Sequence, residues 1–207
     1  LLPDNERIVP IANLNQKISE ISGRFYSHPS KRIALTGITG TNGKTTCTQL
    51  LAHLLSFVNG PVGVIGTLGY GSIMAKKTDL KTKGMTTPNP IDIQSILADF
   101  VASDISQAVM EVSSHGISQF RINSLLFETA VFTNLSHDHL DYHGNLENYS
   151  KVKKELFTMP GLKNAVINID DTVGSKIAEE LSLSINKISY SLVNPKASIF
   201  AEEINIS

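Results

Sequence analysis

Cysteine is nearly absent: Cys47 is the only one in 207 residues. No intrachain disulfide can form, and a reducing cytoplasm is the natural compartment. Neither sign of charge is in excess. The formal net charge is −1, which leaves no electrostatic footprint for nucleic acid. No apolar run approaches the roughly 18 residues a membrane span needs, so no membrane partner is expected. The opening Leu1-Leu2-Pro3-Asp4 has neither Met nor a basic stretch, so no signal peptide is read there. That opening, with an end inside what reads as a strand (residues 199–206), is the pattern expected of a fragment of a longer protein. The remaining composition is that of an ordinary globular protein, 41% hydrophobic and 18% charged. The length allows one large domain or one and a half small ones.

What is present centres on residues 33–46, Ile-Ala-Leu-Thr-Gly-Ile-Thr-Gly-Thr-Asn-Gly-Lys-Thr-Thr. The apolar residues 33–35 read as a short buried strand. A glycine-rich turn follows with Gly37, Gly40 and Gly43. Lys44, Thr45 and Thr46 then lead into a periodic run (Leu50, Leu51, Leu54, Leu55) that reads as a helix. Strand, glycine loop, Lys-Thr and helix is the layout of a phosphate-binding loop. Glycines let backbone N–H groups turn toward phosphate oxygens, and the helix N-terminus adds partial positive charge. Lys44 would neutralise the terminal phosphates and the Thr45 hydroxyl would hold a Mg²⁺. The usual G-x-x-x-x-G-K-[ST] pattern wants glycine where this chain has Ile38, so the loop is better written T-G-T-N-G-K-T-T.

Along the chain, residues 1–30 hold one modest helix signal (Ile11, Leu14, Ile18, Ile21) closed by Gly23, and read as a connector. From residue 31 the pattern alternates. Strands are expected at 62–65, 108–112, 129–133, 165–169 and 187–190, and helices at 91–101, 146–157 and 173–181. Residues 69–84 form a polar stretch with Lys76, Lys77, Lys81 and Lys83. Asn89 and Pro90 suit a helix start. The alternation implies βαβ units: an α/β fold with a mostly parallel central sheet flanked by helices, and a site at the strand C-terminal ends.

Three chemically rich segments follow such strands. Glu111 ends an apolar strand, where an acid would complete a Mg²⁺ shell begun by Thr45; an acid on an edge strand facing water is the alternative. Ser113, Ser114 and His115 follow as a polar turn. Residues 134–143 hold His137, His139 and His143 with Asp138 and Asp141, so a zinc site is the rival there, although no cysteine is near and no H-E-x-x-H spacing occurs. Asn168 and Asp170 close the third segment. Lys151, Lys153 and Lys154 share one helix, on which a solvated face accounts for two of them. Tyr149, Lys153, Leu156 and Phe157 share one side of it, so Lys153 should be the least exposed of the three.

Four segments in this order, T-G-T-N-G-K-T-T, M-E-V-S-S-H-G, T-N-L-S-H-D-H-L-D-Y-H-G and N-Y-S-K-V-K-K-E-L-F, resemble the Mur ligases of peptidoglycan synthesis. Within that family the tripeptide synthetases are nearest. The resemblance covers residues 22–191 and implies the tail of an N-terminal UDP-binding domain (1–30) followed by a C-terminally truncated central ATP-binding domain (31–207). It implies an ATP-dependent ligase, a monomer, joining a free amino acid (meso-diaminopimelate or L-lysine) to UDP-MurNAc-L-Ala-D-Glu through an acyl phosphate. By the same resemblance Gly40, Thr41, Asn42, Gly43, Lys44, Thr45 and Thr46 bind ATP. Thr45 and Glu111 hold one Mg²⁺, His139 a second, and Lys153 is a carbamylated lysine that also binds metal. Thr86, Thr87, Ser113, Gln119 and Arg121 match positions holding the UDP-linked substrate. Met85 stands where asparagine is common, so one polar contact is expected to be absent. His115, His137, His143, Asn168 and Asp170 receive no role. Other readings stay open: another ligase of the superfamily such as folylpolyglutamate synthetase, a phosphate-loop kinase or regulatory NTPase, or a non-catalytic nucleotide-binding module.

Overall fold

The computed structural model describes residues 9–75, 77–82, 84–138 and 140–203. Lys76, Lys83, His139 and the last residues of the expected 199–206 strand lie outside that set. The central strand is β1 (Ala34–Thr39), and α2 (Lys44–Asn59) follows it, after an N-terminal α1 (Leu14–Phe25). Then come β2 (Val62–Gly66), a hairpin of β3 (Gly69–Met74) and β4 (Lys77–Lys81), α3 (Pro90–Ala102), β5 (Gln107–Glu111), α4 (Ser114–Ser118) and β6 (Thr129–Phe132). The chain continues through α5 (Leu140–His143), α6 (Leu146–Lys154), β7 (Asn164–Asn168), α7 (Thr172–Glu180), β8 (Asn186–Ser191) and β9 (Ile199–Phe200).

Among the described residues nine strands form one sheet in the order β4-β3-β2-β5-β1-β6-β7-β8-β9. Only the β2–β3 and β3–β4 pairs are antiparallel. After β1 the chain moves outward to β2, returns to β5, then crosses β1 to reach β6. That reversal is a topological switch point, and it opens a crevice at the carboxyl ends of the strands. Register decides what meets there: Ile38 pairs with Glu111 and Thr39 with Phe132, so β5, β1 and β6 end level with one another.

One face of the sheet buries Leu35, Ile65, Met110, Phe132 and Ile167 under α3 (Ile93, Leu97, Phe100) and α7 (Ile177). The other buries Ile38, Val62, Val64 and Val109 under Ala52 of α2. Capping sets where the helices begin. Asn89 accepts the Asp92 N–H at 2.9 Å with Pro90 in the first turn, Asn145 accepts the Asn148 N–H at 2.8 Å, and Asp171 accepts the Val173 N–H at 2.8 Å. No helix among the described residues is long and apolar enough to cross a membrane.

Several local expectations change. The α1 helix runs past Gly23 and turns Ser19, Ser22 and Gly23 inward, while Leu14 and Ile21 are exposed. Small residues let α1 approach α3, and Ser19, Gln94 and Ser124 join by hydrogen bonds across that contact. In α2 the buried positions are Thr48, Ala52 and Ser56, whereas Leu50 and Leu54 are 60% and 66% exposed. The polar stretch 69–84 contains the β3–β4 hairpin, built largely from backbone pairing with little apolar alternation to reveal it. The turn at 113–115 opens the short α4, capped by Ser113. Gly37 belongs to β1 rather than the loop.

A Cβ at Gly37 would stand 2.8 Å from the Phe127 ring, closer than real side-chain carbons approach. Gly37→Ala should therefore overpack the core, costing about 1–3 kcal/mol. Adding Phe127→Leu should recover part of the loss in urea unfolding; unchanged stability in Gly37→Ala would contradict this packing.

Candidate active site

The loop between β1 and α2 is held against the segment after β6. Gly40 has a φ of 150°, and a Cβ there would overlap Thr133 Oγ1, so only glycine admits this approach. The N–H groups of Thr41 and Asn42 donate to the Asn134 carbonyl (2.8 Å) and Asn134 Oδ1 (3.0 Å). Thr133 Oγ1 donates to the Asn42 carbonyl at 2.7 Å, and the Ser136 N–H to Thr41 Oγ1 at 3.0 Å. Gly43, with φ 84°, turns the chain into α2. The first-turn N–H groups of α2, from Lys44, Thr45 and Thr46, have no intrahelical acceptors and face the same crevice with the positive end of the helix dipole.

Two lysines meet at one oxygen. Lys44 folds back so that Nζ donates to the carbonyls of Gly40 and Thr41, each at 2.9 Å. Lys153, from α6, donates to the same Gly40 carbonyl at 2.9 Å, and its ammonium sits 4.5 Å from the centroid of the Tyr149 ring. Lys153 is 1% exposed. Its helix neighbours point away: Lys151 pairs with Glu147 at 2.7 Å and Lys154 with Glu180 at 2.9 Å. The expectation that Lys153 is the buried member of the trio therefore holds. Burial, reinforced by the charge of Lys44, pulls the Lys153 amine down to about 7, with Asp138 opposing. Burial likewise lowers Lys44, against Glu111 and Asp138.

Glu111 is 1% exposed at the end of β5. One carboxylate oxygen accepts the hydroxyls of Thr45 (2.9 Å) and Thr67 (3.0 Å); the other accepts the Thr67 N–H (2.8 Å). Gly66 makes this possible, because a Cβ there would overlap the carboxylate. Thr67 escaped the sequence reading. Its signal was its position, directly after an apolar strand that ends level with β5 at the crevice.

The acceptor-side residues expected from the family resemblance are welded to Glu111. Thr87 Oγ1 donates to the Glu111 carbonyl and accepts the Ser113 N–H, both at 2.9 Å. Gly116 packs so tightly that a Cβ would be 2.6 Å from the Thr87 methyl. Arg121 donates to the Thr87 carbonyl and, through Nε at 3.1 Å, to Gln119 Oε1. Thr86 and Thr67 share a hydroxyl–hydroxyl bond of 3.0 Å. Met85 brings its sulfur 3.9 Å from Arg121 Nη1.

Among the residues without a role, His143 is buried, stacks on Tyr149 (centroids 4.9 Å apart) and meets Ser114 Oγ at 2.9 Å. Tyr149 in turn shares a 3.2 Å bond with Thr41 Oγ1. His115 packs against Tyr142, and His137 is exposed. Asn168 holds the Thr133 carbonyl at 2.8 Å, Asp171 the Leu135 N–H at 2.7 Å, and Asp170 the Leu192 N–H at 2.7 Å together with Ser191. These last three tie strand ends together. Among the described residues no three His, Cys, Asp or Glu side chains gather as a metal-holding group; His139, the expected second metal ligand, lies outside them.

A lysine-bearing glycine loop between a central strand and a helix, at the switch point of a parallel sheet, defines a phosphate-loop nucleotide-binding fold of the α/β class. The family model for the Mur ligase middle domain matches residues 38–207, and the chain belongs to that family. It is 42% identical over 203 residues to the UDP-N-acetylmuramoyl-L-alanyl-D-glutamate–2,6-diaminopimelate ligase of Pseudomonas putida, covering 95% of this chain and 40% of that protein. It is 44% identical over 184 residues to the ligase of the same name from Coxiella burnetii, covering 89% and 37%. A solved structure of a ligase with that name superposes with a TM-score of 0.84 at 32% identity, over 97% of this chain and 41% of the other. The chain thus spans about two fifths of the length of these relatives.

The Lys153 amine carries a stability signature. It titrates near 7 when folded and at 10.5 ordinarily, so between those values the unfolded chain binds more protons. Stability from this group must then rise with pH across that window. In CO₂-depleted buffer, the unfolding free energy of wild type relative to Lys153→Met should climb from pH 7 to pH 10 by an amount on the order of a few kcal/mol. A flat difference would show that the amine is not held at depressed pKa.

Proposed function

We propose that this chain is the phosphate-handling core of an ATP-dependent ligase that joins diaminopimelate to UDP-MurNAc-L-Ala-D-Glu, with L-lysine the alternative amine. The observation that carries the reading is the convergence of Lys44 and Lys153, from separate elements, on the Gly40 carbonyl. Identity with ligases named for diaminopimelate over nearly the whole chain supports the choice of amino acid. In such a reaction the acceptor carboxylate takes the terminal phosphoryl group of ATP, ADP leaves, and the incoming amine then displaces inorganic phosphate from the acyl phosphate to give the amide.

The residues present fit these groups. Of the loop residues Gly40, Thr41, Asn42, Gly43, Lys44, Thr45 and Thr46, the last four would supply N–H groups at the start of α2 and the Lys44 cation for the ATP phosphates, while Thr41 and Asn42, bonded through their N–H groups to Asn134, would hold the loop in shape. Thr45 Oγ1 and Glu111 offer hard oxygen donors 2.9 Å apart, close to the spacing of about 3 Å between adjacent ligands on an octahedron with bonds of about 2.1 Å, the geometry Mg²⁺ demands. Mg²⁺ there would neutralise charge developing on the transferred phosphoryl group. Lys153 has the chemistry to become a carbamate, since an amine near 7 is substantially unprotonated at neutral pH and adds CO₂. The carbamate would be a metal-binding anion, and by resemblance His139 would hold a second Mg²⁺. Thr86, Ser113, Gln119 and Arg121 would orient the UDP-linked acceptor, Arg121 through its planar fork toward an anionic group, while Thr87, buried and bonded to Glu111 and Ser113, would brace them. Every side chain named comes from one chain, so the reading needs no second copy. ATP and UDP-linked precursors place the reaction in the cytoplasm. A phosphate-loop kinase has no use for an anionic lysine, so a buried, depressed Lys153 favours the ligase.

The test is chemical rescue in the full-length enzyme. Lys153→Ala should lose on the order of 10²-fold or more in rate, as loss of a placed charge typically does. Added short-chain carboxylic acids should partly restore it, while Lys151→Ala and Lys154→Ala stay active. Full activity in Lys153→Ala would overturn the reading.

A further inference from the structure

Thr67 touches two sets of residues that the proposed function assigns to different ligands. Its hydroxyl lies 3.0 Å from the Glu111 carboxylate and 3.0 Å from the Thr86 hydroxyl. Its N–H separately holds the other Glu111 oxygen at 2.8 Å. A carboxylate only accepts, and a hydroxyl has one proton to donate. The Thr67 proton therefore points at Glu111. It follows that Thr86 is the donor in the Thr86–Thr67 bond, so the Thr86 proton is turned toward Thr67 and away from any ligand.

A cation held by Thr45 and Glu111 would change that arrangement. Positive charge at the Glu111 oxygen repels a hydroxyl proton aimed at the same atom. The other hydrogen-bond partner of the Thr67 hydroxyl is Thr86, and if Thr67 donated there, the Thr86 proton would no longer be held by Thr67. We propose that Thr67 is a positioning residue that couples the cation arm to the acceptor loop. Cation binding at Glu111 turns the Thr67 hydroxyl to Thr86 and frees the Thr86 hydroxyl to donate to a carbonyl or carboxylate oxygen of the UDP-linked acceptor. No covalent bond changes; two hydrogen bonds reverse their sense. The backbone N–H keeps Glu111 in place throughout, so holding the carboxylate and relaying its state are separable. This inference rests on the ligand assignments of the proposed function.

The experiment is calorimetric titration of the full-length protein with UDP-MurNAc-L-Ala-D-Glu in the presence of the non-hydrolysable ATP analogue AMP-PCP, with Mg²⁺ and with EDTA. In wild type, Mg²⁺ should tighten the UDP-linked ligand by about tenfold, within the usual range of coupling between sites. In Thr67→Val, which keeps the branched shape and the N–H, that factor should fall below about twofold. Affinity for Mg²⁺ with AMP-PCP should remain near wild type. Thr67→Ser, which restores the hydroxyl, should restore the coupling, an outcome a purely structural role does not predict. Thr67→Ala replaces Thr67→Val if the latter does not fold. Equal coupling in wild type and Thr67→Val overturns the relay alone. No binding of the UDP-linked ligand by wild type overturns the functional reading and the relay with it.

Discussion

One close approach governs this site. At Gly40 the backbone comes so near Thr133 that no side chain fits, and the carbonyl turns to where Lys44 and Lys153 both reach it. Removing two lysine amines from water to share one neutral oxygen disfavours their charged forms, and the surrounding structure holds them there. Lys44 is fixed by the start of α2, and Lys153 by α6, which the following 3₁₀ turn, Glu155–Thr158, anchors by burying Leu156 and Phe157 in the core. The depressed pKa of Lys153 follows first from its burial and then from the charge of Lys44 beside it. On the proposed function the phosphates of ATP would pair with Lys44, and carbamylation would turn Lys153 from a competing cation into an anion.

The sheet's topology explains why this strain is held in place. Because β1 lies between β5 and β6, its loop is buttressed on one side by Glu111 through Thr45 and on the other by residues 133–136. Residues assigned to the acceptor reach the same point through Thr87, which bonds the Glu111 backbone, and through Thr86, which bonds Thr67. The two halves of the crevice therefore share Glu111 as a common anchor. On the proposed function, a change in what that one buried carboxylate binds would reach both sides through these hydrogen bonds.

Much of this was legible from residue order alone. The strand–glycine–Lys-Thr–helix layout, Glu111 at a strand end and the inward face of α6 follow from periodicity and spacing, and the structure places Lys44, Thr45, Glu111 and Lys153 around the crevice as those patterns imply. Thr86, Thr87, Ser113, Gln119 and Arg121 came from family resemblance, and they cluster through contacts no local pattern encodes. What stayed hidden has physical reasons. Thr67 matters because of a partner 44 residues away, and hydrogen bonds across that separation leave no periodic trace. Gly37 looked like a loop glycine because sequence cannot distinguish a need for positive φ from a need to clear the Phe127 ring. The leucine spacing of α2 marked the helix but not its innermost line: Thr48, Ala52 and Ser56 are buried, Leu51 and Leu55 pack beside them, and Leu50 and Leu54 face outward. The β3–β4 hairpin is polar and edge-like, so its backbone pairing had no hydrophobic signature.

The central claim is that Lys153 is a buried amine, kept substantially neutral by burial and by Lys44, that becomes an anion when the site is loaded. The most direct measurement is ¹³C NMR of the full-length protein equilibrated with ¹³C-bicarbonate in the presence of Mg²⁺ and AMP-PCP. A carbamate carbonyl resonance should appear in wild type and in Lys151→Ala, and be missing from Lys153→Ala. A wild-type spectrum without it, or one in which the signal survives in Lys153→Ala, would contradict the account.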